Sequence, residues 1–100
     1  MKLLTKEIKK RLPALYETEE TDNPMIQVKF FNPIGRGTWY GIEYNPEEKL
    51  FYGYVDLGYP ELGYFNLTEL ESVKLPLGLK IERDLHFKPT KLNKIREKHE

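Results

Sequence analysis

A chain of 100 residues, 39% hydrophobic and 13% aromatic, can bury one core but leaves no room for a separate catalytic domain. The absence of cysteine excludes a disulfide framework, a thiolate zinc site and a cysteine nucleophile together. Lys plus Arg and Asp plus Glu stand at 16 each, so the formal net charge is zero, and any electrostatic recognition must come from how the charges are distributed.

At the start of the chain Lys2, Lys6, Lys9, Lys10 and Arg11 outnumber the single acid Glu7. Leu4, Ile8, Leu12 and Leu15 recur at helical spacing, which predicts an amphipathic helix from residue 5 to about 12 with Thr5 as its N-cap. Pro13 disfavours helix at Leu12 and should kink or stop it. Thr5, Lys6 and Glu7 also break MKLL before the apolar centre of a signal peptide could form. Nowhere does the chain reach the ~20 apolar residues of a membrane helix, so a soluble, cytoplasmic protein without membrane contact is expected. Glu17 to Pro24, with Glu17, Glu19, Glu20 and Asp22, reads as an acidic, turn-rich loop.

Met25 to Phe31 alternates, with Ile26, Val28 and Phe30 opposed to Gln27 and Lys29, as a half-buried strand does. Asn32 to Gly37 is a connection whose glycines present Arg36 on a flexible tip. The next stretch, GTWYGIEYNPEEKLFYGYVDLGYPELGYFNL, reads as three further strands reversing at Asn45-Pro46-Glu47-Glu48 and near Gly58, Pro60 and Glu61. Simple alternation assigns Tyr40, Ile42, Tyr44, Phe51, Val55, Phe65 and Leu67 to one face. It assigns Trp39, Glu43, Tyr52, Tyr54, Asp56 and Tyr64 to the other.

Thr68-Glu69-Leu70-Glu71 fits a capping box for a short helix ending before Pro76. Leu79 to Phe87 reads as extended, with Leu79, Ile81, Leu85 and Phe87 alternating against Lys80, Glu82, Asp84 and His86. Thr90 is placed to cap a basic C-terminal helix carrying Leu92 and Ile95. The expected architecture is a single α+β domain. A four-stranded antiparallel meander from Met25 to Leu67 packs on the N-terminal helix, and the short helix and the extended segment close the core.

The blocks LLTKEIKKRLPALYETE, VKFFNP, TWYGIEY, ELGYFNLTELESVK and LGLKIERDLHFKPTKL together resemble a bacterial domain-of-unknown-function family of about this length, met on plasmids and integrative conjugative elements. The resemblance implies a mobile-element accessory role in a bacterial cytoplasm. It supplies no activity, cofactor or catalytic residue.

Four features are candidates for function. Trp39, Tyr52, Tyr54 and Tyr64, with Lys29 in the sheet and Arg36 at its rim, could form a platform for unpaired bases or a partner protein. They could equally be packing beneath a terminal helix. Glu82, Asp84 and His86 project to one side of an extended segment, as metal ligands would, or as the solvated charges of an edge strand do. Arg83 falls in the apolar row of Ile81, Leu85 and Phe87 and so needs an acid, for which Glu43 and Asp56 are candidates.

The basic terminal helices could line one phosphate-facing surface, or simply solvate their outer faces. Ser72, the single serine, sits in a predicted helix, and no nucleophile elbow or phosphate-binding loop is present. The expected function is non-catalytic binding of a protein partner, such as a host-defence or transfer component, through the aromatic face, the Arg36 loop and Arg83. The alternative is nucleic-acid binding through the basic helices and the aromatic face, with a small metal-assisted enzyme further off. No cofactor is implied, and the oligomeric state is open.

Overall fold

Asn45 closes the central hairpin as its side chain suggests, because Oδ1 accepts from the backbone N–H of Glu47 at 2.9 Å and of Glu48 at 3.2 Å. Lys49 then takes a left-handed conformation (φ 54°), which turns the chain back. This and the rest of the fold come from a computed structural model that describes residues 2–99. The hairpin joins β3 (Thr38–Asn45) to β4 (Leu50–Asp56). At the next reversal Asp56 Oδ1 accepts from Gly58 N–H at 2.9 Å, Gly58 adopts φ 107°, and β5 (Pro60–Asn66) follows.

The expected first strand divides at Gln27. β1 (Met25–Ile26) leaves the main sheet to pair with β7 (Thr90–Lys91), while β2 (Val28–Phe31) pairs with β3. The main sheet has five strands rather than four. Its order is β5-β4-β3-β2-β6, all pairs antiparallel, with β6 (Glu82–Arg83) added to the free edge of β2. The long extended segment expected at Leu79 to Phe87 is reduced to these two paired residues. Asp84 Oδ1 accepts from His86 N–H at 2.9 Å and turns the chain. As a result Ile81 is buried on one face, Leu85 is exposed, and Phe87 packs on the other face.

A β-bulge corrects the expected allocation of faces. Register shifts between Gly41 and Glu43 opposite β4, so that Tyr40 pairs with Tyr54 and Gly41 with Gly53, but Glu43 pairs with Tyr52. The extra residue, Ile42, reverses the alternation. Tyr40 and Ile42 therefore share a face with Tyr52 and Tyr54, whereas Trp39 shares one with Phe51 and Val55.

Each face carries its own core. On the first, Phe30 meets Phe51 edge-on at 5.5 Å and Phe51 stacks on Phe65 at 4.8 Å. The buried Leu3 and Leu4, the half-buried Ile8 and Leu12, and Leu67 and Leu70 cover them. Ile8 and Leu12 belong to or flank α1 (Lys6–Arg11), where Thr5 accepts from Ile8 N–H as expected of an N-cap. Leu67 and Leu70 belong to α2 (Leu67–Ser72), whose cap is Asn66 rather than Thr68. Asn66 Oδ1 accepts from Glu69 N–H at 3.2 Å, two residues earlier than the Thr-x-x-Glu pattern suggests.

The second face is not left free. Leu92 and Ile95 of α3 (Leu92–His99) bury themselves against Ile26, Tyr40, Ile42 and Tyr54. Thr90 does not cap α3; its hydroxyl donates to the Lys88 carbonyl. The first amides of α3 are satisfied instead from the acidic loop. Leu92 N–H donates to the Pro24 carbonyl and Asn93 N–H to Asn23 Oδ1, both at 2.9 Å.

Candidate functional site

Glu43 is the one buried charged residue among the described residues, at 3% exposure. A carboxylate is buried at tolerable cost only when its oxygens are fully engaged. Here Oε1 accepts from Tyr16 N–H at 2.8 Å and Oε2 from Thr18 N–H at 2.9 Å, with the Thr18 hydroxyl donating as well. Nearby, Tyr44 N–H donates to the Pro13 carbonyl at 2.9 Å. These bonds draw residues 13–18 over the sheet and hold Tyr16 in a left-handed conformation (φ 73°).

Between this arch, the sheet and α3 lies a cleft of about 330 Å³. Its aromatic wall is Tyr16, Tyr52 and Tyr64, its aliphatic edge is Leu62, and its floor is Ile42 and Glu43. Tyr52 and Tyr64 lie with ring centroids 5.2 Å apart. Desolvation, and then the neighbouring Tyr16, push the Tyr64 hydroxyl above its ordinary pKa. Glu19 and Asp22 of the acidic loop bring negative charge to the cleft, and Arg96 from α3 is the cation that lines it. The Arg96 guanidinium lies 5.7 Å from the Tyr54 ring centroid, which ties it to the sheet.

The structure separates the residues expected to act together. Tyr52 and Tyr64 meet in the cleft; Tyr54 is buried behind it, under Arg96 and His99. Trp39 stands on the opposite face, packed with Val55 against the first core. Lys29 forms an ion pair with Asp84 at 3.6 Å, its ammonium 5.8 Å from the Tyr40 ring. Arg36 lies on the exposed tip, so close to the β4–β5 turn that a Cβ on Gly58 would sit 2.7 Å from its Nη1.

Arg83 finds neither expected acid. Its Nη1 donates to the backbone carbonyls of Lys2 and Leu3, the latter at 2.9 Å, and so fastens the N-terminal segment to the sheet edge. Glu43 is engaged by the arch, and Asp56 by His99. Glu82, Asp84 and His86 do not converge. Among the described residues no group of three or more His, Cys, Asp or Glu side chains is gathered as metal ligands.

Asp56, His99 and Tyr40, which no spacing or motif in the sequence links, form a chain. His99 Nδ1 lies 2.7 Å from Asp56 Oδ2 and its Nε2 lies 3.0 Å from the Tyr40 hydroxyl. In the neutral ring Nδ1–H donates to the carboxylate and Nε2 accepts from Tyr40. A tyrosine that serves as nucleophile or base needs its proton held loosely. Burial first, and then Asp56, push Tyr40 up to about 12, so this chain suits fixing the end of α3 to the sheet.

A family model for proteins of unknown function, DUF2958, matches residues 3–95. The chain belongs to the DUF2958 family. No curated protein and no solved structure matches it. In this DUF2958 chain no helix among the described residues is long and apolar enough to cross a membrane. Nearly every side chain of the cleft, from Tyr16 to Leu92, falls inside the matched span, and Arg96 stands one residue beyond it.

Proposed function

We propose that this DUF2958 chain is a non-catalytic protein-binding domain that recognises its partner through the cleft between the arch, the sheet and α3. The accessory role on a bacterial mobile element implied by the family resemblance belongs to the same proposal. The observation that carries it is a set of large apolar side chains left accessible on fixed backbone. Tyr16 is 63% exposed, Tyr64 53% and Leu62 37%, on an arch and strand pinned through buried Glu43. Rigid aromatic side chains lose little entropy on being covered, and interfaces enrich them for that reason.

Nucleic-acid binding draws less support. α1 packs toward the first core and α3 toward the second, so their lysines point away from opposite faces of the sheet. Glu19 and Asp22 would repel phosphates at the cleft. The test is capture from a bacterial lysate by the wild-type protein and by a Leu62→Ala/Tyr64→Ala variant of unchanged melting temperature. A partner held by the former and lost by the latter supports the reading. Equal capture by both sinks it, as does a mobility shift of DNA or RNA that persists at moderate salt.

A further inference from the structure

The edge of the sheet beside the cleft is open. β5 ends the strand order, and the bond from Leu67 N–H to the Lys49 carbonyl fixes the phase of its ladder with β4. Counting back by twos, the backbone groups of Phe65, Gly63 and Glu61 face β4, and those of Leu62 and Tyr64 face outward. No hydrogen bond to the outward groups is formed from elsewhere among the described residues. Gly63 adds no bulk, since a Cβ there would meet nothing within 4 Å. Pro60, at the start of this edge, has no amide to offer, but the free amides and carbonyls of Leu62 and Tyr64 are a template for another strand.

We propose that β5 accepts an extended peptide segment as a sixth strand, and that the segment carries lysine or arginine at alternate positions. This rests on the binding role assigned above to the cleft. Residues of the added strand opposite Leu62 and Tyr64 project to the cleft face, where Glu19 and Asp22 offer charge for a cation and the tyrosine rings offer apolar cover for its stem. A second copy of the chain fits less well. Antiparallel pairing of β5 with itself sets both acidic loops, Glu17 to Asp22, on the same face of the joined sheet, where they repel.

The test begins with peptides selected from a random display library on the purified full chain. Selected sequences should alternate basic and apolar residues, and their affinity should fall at least about tenfold on Glu19→Lys/Asp22→Lys. Leu62→Pro removes an outward amide without touching the β4 ladder, so it should abolish binding while leaving the melting curve nearly unchanged. Should that variant fail to fold, N-methylation of the peptide gives the same information: every second amide should be intolerant and the others indifferent. Acidic or uncharged winners overturn the proposal, as does uniform tolerance of N-methylation. A solution dimer with protected β5 amides also overturns it, in favour of a second copy. Peptides lost on Leu62→Ala/Tyr64→Ala but insensitive to Leu62→Pro and to N-methylation would leave the cleft reading standing and remove strand addition alone. A library that yields no binder removes both.

Discussion

The carboxylate of Glu43, on the central strand, accepts a 2.8 Å hydrogen bond from the backbone N–H of Tyr16, 27 residues earlier. With Thr18 it converts a stretch of acidic loop into one wall of a cleft. Glu43→Gln keeps an acceptor but sets an NH2 group against donors, so one amide of the arch loses its partner inside the fold. The expected cost is about 1–3 kcal/mol in urea denaturation. Amides 16 and 18 should exchange faster while those of β4 stay protected. Equal protection at 16 and 18 in both proteins would mean that the arch is held by other contacts.

Arg83 performs a comparable service at the far edge, through the carbonyls of Lys2 and Leu3. Leu3 and Leu4 are both buried against Phe30 and Phe51, so the segment has apolar contacts that survive loss of the guanidinium. Arg83→Leu should therefore cost about 1–2 kcal/mol, leave the fold cooperative, and admit proteolysis near residues 2–5. Global unfolding of the variant would show that Arg83 supports more than the N-terminal segment. Cleft binding should be unchanged, because Arg83 contributes nothing to it.

Tyr40 sets an upper pH limit. Its hydroxyl moves from an ordinary value near 10.0 to about 12, by burial and then by Asp56. Below pH 10 folded and unfolded chains both keep the proton, and stability does not depend on it. From about 10 to about 12 the unfolded chain releases a proton that the folded one retains, so stability falls as pH rises through this window. Tyr40→Phe should start about 1 kcal/mol lower, having lost the bond to His99, and decline less steeply between pH 10 and 12. Parallel declines in denaturation midpoint would assign the alkaline sensitivity elsewhere, Tyr44 being the next group pushed upward by burial.

What could be read from the residues was local. Thr5 as a cap, Asn45-Pro46 as a turn and the alternation of β2, β4 and β5 rest on neighbours in sequence, and each stands in the structure. One extra residue in β3 carries little compositional signal, yet it sent Trp39 to the other face and divided the expected aromatic platform. The pairing of β6 with β2, the bonds of Arg83, and the covering of the second face by α3 depend on segments more than 35 residues apart. Periodicity cannot report such distances. Glu43 was visible as a lone charge in TWYGIEY, but what would satisfy it was not.

The two glycines of the β4–β5 pair, Gly53 and Gly63, face each other across the ladder and should respond in opposite ways to the same change. A Cβ at Gly53 would stand 1.8 Å from the Tyr40 carbonyl oxygen, which the bulge in β3 brings close; backbone cannot rotate aside as a side chain can. Gly53→Ala must therefore push β3 and β4 apart or remove the bulge, and removal would move Tyr40 and Ile42 out of the second core. A loss of more than about 3 kcal/mol is expected, in the range of severe core disruption. Gly63→Ala meets open space and also lowers the entropy of the unfolded chain, so its stability should equal or exceed that of the wild type by up to about 1 kcal/mol. Thermal denaturation of both variants decides the matter: a tolerated Gly53→Ala would mean that the strands do not approach as closely as the bulge requires.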